Sequence, residues 1–329
     1  MSIFRATALA LLAGVALCVA WVLAMRACHP GPLEWLEANL VAQGWEMAQG
    51  RLPYQDPTAG PVAHVYPPMF TALLSAVFKF TGPSFAVGHL LSLAATLATI
   101  PFLVGMARSL GAGRAAMWIV PALYLAGFRA TGEWFDTIRV DPWMVLFLVA
   151  GTRVSLEAAK ESLGWTLVAA LSLALAVWSK QTALPLAILA LLLGLRWEPR
   201  RMAAGLAALA LFLVVPGWWL QVRTDGWFSF YTISLPLSHA LTLKHLRVLV
   251  DVESGLALVV LAVLALLAPQ LKRSYVAMGV ATFGICCVSL CKQGAYLNVL
   301  LPAWALLVPA AAATLAPRDR EAPGAEGLA

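Results

Sequence analysis

Two carboxylates and three cations are the residues whose types suggest chemistry. Glu34 stands in Pro32-Leu33-Glu34-Trp35, and Asp141 stands in Arg139-Val140-Asp141-Pro142. A carboxylate can take the proton of a hydroxyl that is becoming a nucleophile, a role that contributes about 10²–10⁴-fold. Both also fit structural work. An acid at a helix start favours the helix dipole, and Asp141 before Pro142 fits a helix cap with proline in the first turn. Glu37 follows one turn after Glu34. Lys180, in Trp178-Ser179-Lys180-Gln181-Thr182, and Lys292, in Cys291-Lys292-Gln293-Gly294, each interrupt apolar sequence. Such lysines can snorkel to headgroups or neutralise a phosphate, which suits an ammonium or a guanidinium fork. With Arg139 they make a candidate anion site.

Other chemistries find little support. His239 stands alone in Leu235-Pro236-Leu237-Ser238-His239, and His64, His89 and His245 show no metal spacing with it. The five cysteines include no C-x-x-C pair, and the spacing of Cys28 and Cys291 does not fix a disulfide. Phosphate-binding and dinucleotide-binding glycine loops are missing, as is the G-x-S-x-G elbow, so soluble nucleotide chemistry is unsupported.

The elements that must position these residues are helices in a membrane. The chain has 329 residues, 61% hydrophobic and 12% charged, against about 25% charged in soluble domains. Ten apolar runs recur, at 5–25, 84–107, 114–131, 141–156, 164–179, 181–195, 203–221, 255–269, 275–291 and 296–315. Their continuous apolarity, without a period of two, excludes a closed barrel and predicts an all-α bundle of about ten spans. The first run, after Arg5, reads as an uncleaved signal anchor. The net charge of +6 belongs to cytoplasmic loops and does not point to nucleic acid.

One run, Tyr66 to Thr81, is short, opens on Pro67-Pro68 and carries Lys79. If it lies along the surface and the N-terminus is cytoplasmic, the loops with Arg108/Arg114, Arg153/Lys160, Arg196/Arg200/Arg201 and Lys272/Arg273 all face inward, as the positive-inside rule requires. The long connections 26–83, 132–140 and 221–254 then lie outside, together with most of the acids. A second surface helix is expected between Pro32 and Gly50, a residue suited to stopping it. Residues 1–316 read as one transmembrane domain, and 317–329 as a disordered cytoplasmic tail.

At these residues the chain resembles the C-type glycosyltransferases that use polyprenyl-phosphate sugars. Within them it is similar to the bacterial family 39-like group, which includes the lipid A aminoarabinose transferase and rhizobial lipopolysaccharide core transferases. The matching features run in order: Pro32-Leu33-Glu34; Gly50 to Asp56; Tyr66-Pro67-Pro68; Arg139-Val140-Asp141; Lys180-Gln181-Thr182; Gly226-Trp227-Phe228 with Leu235-Pro236 and His239; and Gly294 to Asn298 with Leu301-Pro302. Two departures stand out: the first loop carries Glu34-Trp35 where many members have Asp or Asp-Glu, which leaves Glu37 as a substitute base, and an outer C-terminal domain of some relatives does not follow the last span.

The resemblance implies a GT-C-like fold and sugar transfer at the outer face of a bacterial plasma membrane. The partners it implies are a polyprenyl-phosphate-linked sugar, a glycan, lipid or protein acceptor, and the membrane lipids. It gives Glu34 the role of general base, Asp141 that of orienting the acceptor or the base, and Arg139, Lys180 and Lys292 the departing phosphate. Glu37, Tyr54, Tyr66, Asp136 and His239 fall in its acceptor or substrate loops. This scheme requires no cofactor or divalent metal. A transporter or flippase without bond chemistry is the alternative; it would favour mid-span charges and repeated halves, which the sequence lacks.

Overall fold

In the computed structural model residues 3–58, 65–243, 246–247, 254–268 and 272–317 are described. His64, His245, Asp251, Glu253 and the tail beyond Pro317 lie outside the described residues. Pro317 itself, assigned above to that tail, forms an antiparallel bridge with Ala112.

The ten apolar runs are ten helices: α1 (Ile3–Ala27), α4 (Phe85–Ser109), α5 (Ala116–Ala130), α6 (Asp141–Glu157), α7 (Leu163–Ser179), α8 (Leu184–Leu195), α9 (Pro199–Arg223), α12 (Ser254–Leu266), α13 (Arg273–Leu290) and α14 (Leu301–Leu315). Five segments are long and apolar enough to cross a bilayer by themselves: Leu9–Ala27, Phe85–Ser109, Pro199–Arg223, Arg273–Leu290 and Leu297–Leu315. The other helices are shorter and pack among these. The protein is thus a multi-pass membrane protein. Exposed tryptophans mark two belts, as amphipathic rings do at membrane interfaces. Trp21, Trp218 and Trp219 lie toward one end of their helices; Trp118 and Trp165 lie at the opposite end of theirs, and Trp197 lies in the turn between α8 and α9.

Local chemistry sets the boundaries. Ser84 and Ser162 cap α4 and α7 by accepting from the backbone N–H groups of Val87 and Trp165. The expected stop at Gly50 is present, with φ of +86° beyond α2 (Glu37–Ala48). Gly82, at φ +71°, follows α3 (Met69–Thr81). α14 is the buried axis: residues 308–313 are buried throughout. α1 is peripheral and leaves Leu17, Trp21 and Met25 exposed.

α2 and α3 form a core of their own, apart from the main bundle. Leu40, Val41, Phe70, Leu74 and Phe78 pack there with Ile138 and Val140 from the segment before α6. Gly44 makes the close approach of α2 to α3 feasible, since a Cβ there would lie 2.8 Å from Leu74 Cβ. The connection after α9 continues as α10 (Trp227–Ser229), a π-helical turn Phe230–Ser234 and α11 (Leu235–Ser238). Residues near Ala240 then pair with those near Lys292: Leu241 bridges Lys292, and Gln293 N–H donates to Ala240 O at 3.0 Å. The three connections expected outside therefore meet at one end of the bundle. At the other end Glu157, Ser109 and Tyr275 join through hydrogen bonds of 2.7 and 2.9 Å.

Candidate active site

The sites flagged in sequence assemble where the three connections expected outside meet. A cavity of about 570 Å³ opens there, and its wall includes Tyr66, Arg139, Lys180, His239, Lys292 and Asn298. Five of these come from segments far apart in sequence, so the bundle rather than any local motif creates the site.

Lys180 follows the last turn of α7 in extended backbone (φ −151°, ψ 119°), which directs its side chain away from the helix axis. Its Nζ donates to Asp141 Oδ1 at 2.7 Å. Asn298 Nδ2 donates to the same oxygen at 2.9 Å. The ammonium also lies 5.3 Å from the centre of the Tyr66 ring, within cation–π range. Asp141 is fully buried and is absent from the cavity wall. It makes no side-chain cap on α6, so the capping alternative fails; Pro142 does occupy the first turn as expected. Asp141, expected to orient the acceptor or the base, contacts Lys180 and Asn298 through Oδ1, and its Oδ2 is buried with no hydrogen-bond partner.

Arg139 is buried on the cavity wall. Its guanidinium lies 4.3 Å from the Trp134 ring centre, and Trp134 stacks on Tyr296. Its NH1 reaches Glu34 Oε2 at 3.5 Å. That oxygen also accepts from Leu36 N–H at 3.1 Å, in the turn that leads into α2. α2 begins at Glu37, one turn later than the start expected at Glu34. Glu34 Oε1 is buried and has no hydrogen-bond partner. Burial raises the carboxyl above its ordinary pKa, and Arg139 only partly offsets this. Glu34 sits beside the wall residues Trp35, Leu36 and Arg139.

Three residues expected in substrate loops are instead committed to structure. Glu37 is fully buried, as is His89 on α4, and they meet at 3.1 Å. Glu37 also accepts from Leu33 N–H at 2.6 Å and Ile138 N–H at 2.8 Å. Burial pushes its pKa up, but the hydrogen bonds from His89, Ile138 and Leu33 win and hold it below the usual value. With every contact inward, Glu37 is a clasp between α2, α4 and the second outer connection, not a substitute base. Asp136 is fully buried 3.1 Å from Arg26 Nε, and burial lifts its pKa to about 6 against the opposing pull of Arg26. Tyr54 is buried with its hydroxyl donating to Tyr66 O at 2.7 Å, and its ring packs on Phe228. Tyr66 and His239 do face the cavity.

Lys292 Nζ donates to Pro236 O at 3.1 Å on the wall that also carries His239. Sequence reasoning missed Asn298 and Gln181 as individual site residues. Both lay in matched segments, and the available signal was a polar amide next to an apolar run. His89 had no such signal, because its partner Glu37 is 52 residues away; Trp134 stands in the same loop as Arg139 but stacks on Tyr296 from a distant segment. Among the described residues no three His, Cys, Asp or Glu side chains gather in a metal-ligand cluster.

Comparison with known proteins supports the resemblance. The family described as Dolichyl-phosphate-mannose-protein mannosyltransferase matches residues 65–220. That stretch carries Tyr66, Arg139, Asp141 and Lys180, and stops short of Glu34 and Lys292. No curated protein matches significantly. Two solved structures share the fold: ArnT from Cupriavidus metallidurans bound to undecaprenyl phosphate, at 16% identity, and the same protein in the apo state, at 15%. Both superpose with a TM-score of 0.65. The matches cover 93% and 94% of this chain, but 59% and 60% of those chains. The expected GT-C-like helical fold is thereby borne out.

Proposed function

We propose that this protein is a membrane glycosyltransferase that moves a sugar from a polyprenyl phosphate to a glycan, lipid or protein acceptor. We place the reaction at the outer face of a bacterial plasma membrane. The observation that carries the reading is the convergence of Arg139, Lys180 and Lys292 on one cavity, with Glu34 held against Arg139 at its edge. The three cations outnumber the two nearby carboxylates, Glu34 and Asp141, which leaves positive charge for a phosphate. The ArnT fold and the mannosyltransferase match over 65–220 support the same class.

In this scheme the acceptor hydroxyl oxygen attacks the anomeric carbon. The bond from that carbon to the phosphate oxygen breaks, and its electron pair leaves with the lipid phosphate. The hydroxyl proton passes to Glu34, whose Oε1 has no other partner. Arg139 and Lys180 hold the charge that grows on the phosphate. Donors fixed before the reaction are effective because they need no reorganisation when charge develops. Asp141 and Asn298 hold the Lys180 ammonium in place. Side chains of the chain carry every step, without a cofactor. Lys292 is assigned a secondary role at the phosphate, and His239 and Tyr66 a role in the substrate wall.

The test compares envelope glycolipids by mass spectrometry in the native host, a deletion strain, and that strain carrying wild type or Glu34→Gln at equal expression. Loss of one sugar, restored by wild type and not by Glu34→Gln, is expected. Full restoration by Glu34→Gln overturns the base assignment. Intact glycans with an accumulated or depleted lipid favour a transporter.

A further inference from the structure

Gln181 sits between the phosphate-facing Lys180 and the start of α8, and it lines the cavity. Its Nε2 donates to two backbone carbonyls, Val65 O at 2.9 Å and Thr232 O at 3.0 Å. The first belongs to the first outer connection, just before Tyr66; the second belongs to the third, in the π-helical turn. One side chain thus ties two loops to the α7–α8 hairpin. Because both partners are carbonyl oxygens, the amide can take only one orientation: the nitrogen must face them. The oxygen, Oε1, is then left buried with no hydrogen-bond partner.

A buried acceptor without a donor is uncommon and calls for an explanation. A ligand is a good one when the atom belongs to a cavity-lining residue. The ligand must bring a hydrogen-bond donor. A phosphodiester has none, so Oε1 does not serve the phosphate, which the neighbouring cations already suit. A sugar joined to that phosphate presents hydroxyls within a few bonds of it. We infer that Gln181 is a specificity-determining residue that accepts a hydrogen bond from a hydroxyl of the donor sugar through Oε1, while its nitrogen straps the two outer loops over that sugar. The inference rests on the polyprenyl-phosphate reading above.

Binding in detergent or nanodiscs tests the hydrogen bond from the sugar to Oε1. The probes are bare undecaprenyl phosphate, a panel of undecaprenyl-phosphate hexoses and pentoses, and, for the tightest of these, analogues lacking one ring hydroxyl at a time. Wild type should bind at least one glycosylated lipid about 10-fold more tightly than the bare lipid, close to one hydrogen bond. One deoxy analogue should lose most of that gain. Gln181→Met, similar in length, removes Oε1 and both loop straps and should collapse the ratio to about 1, the glycosylated lipid losing about 10-fold more than the bare lipid. Three results overturn the inference: no sugar adds affinity, no single hydroxyl matters, or Gln181→Met weakens bare and glycosylated lipids alike. The deoxy series uses unaltered protein and decides the matter even if the variant folds poorly. Failure of bare undecaprenyl phosphate to bind overturns the donor reading itself.

Discussion

Lys180 and Asp141 form a buried ion pair, 2.7 Å from Nζ to Oδ1, that joins the end of α7 to the start of α6. The lysine lines the cavity and the aspartate does not, so in the proposed scheme the lysine meets the phosphate and the aspartate holds the lysine. Removing one member of such a pair leaves an unpaired buried charge, which costs about 3–5 kcal/mol. Asp141→Asn should therefore lower the melting temperature by several degrees and weaken undecaprenyl phosphate binding through a displaced Lys180. Asn298→Leu should do the same to a smaller degree, and the double variant should lose less than the sum of the two, since both act on one oxygen. Thermal melts and lipid titrations of the three variants check this; strict additivity would dissolve the proposed triad.

Glu34 should behave as a base whose carboxyl is harder to ionise than usual. Burial raises its pKa above the ordinary value, and only the ionised form accepts a proton. The acid limb of kcat/KM should therefore lie above the ~4.3 of a free glutamate, with activity lost as pH falls through it. Glu34→Gln should flatten that limb, lower kcat by about 10²–10⁴-fold, and leave binding of the lipid phosphate within a few-fold of wild type.

Arg139 offers a test of the same limb from the other side. Its guanidinium lowers the Glu34 pKa and also stacks on Trp134. Arg139→Gln should move the acid limb to higher pH and weaken lipid phosphate binding. Arg139→Lys should rescue only part of the binding, because an ammonium lacks the planar fork and the stacking face. A pH–rate profile that does not move in Arg139→Gln would separate the two residues functionally.

Much of this site could be anticipated from the order of residues. Helices of a membrane protein are set by long apolar runs, and those runs gave bounds within a few residues of α4, α6, α7 and α13. The segment Tyr66 to Thr81, expected from charge balance to lie along the surface, contains α3, which packs with α2 in a core of its own. The pairings were less accessible. Nothing near Glu37 announces His89, which is 52 residues away, and a lone acid one turn after Glu34 looks like a spare base until its partners are visible. Asp141 before Pro142 has the local signature of a cap, yet the bundle brings Lys180 and Asn298 to its carboxylate, and those stronger donors take it.

The loop that carries Arg139 is anchored on its N-terminal side by Asp136 and Arg26, which predicts a distinctive pH dependence of stability. Asp136 has a folded pKa near about 6, against ~3.9 for an unfolded aspartate. Between these values the folded state binds more protons than the unfolded state. Stability therefore falls as pH rises through about 4 to 6, and the difference is constant above that. Two pKa units correspond to roughly 2–3 kcal/mol. Asp136→Asn cannot titrate, so wild type should lose more thermal stability than the variant when melts at pH 4 and pH 7 are compared. The Arg26 pair still counts in favour of wild type at neutral pH, because without it burial would raise the carboxyl further. Parallel pH dependence in the two proteins would mean that Asp136 titrates in the folded state where it does in the unfolded one, and that Arg26 fully offsets its burial.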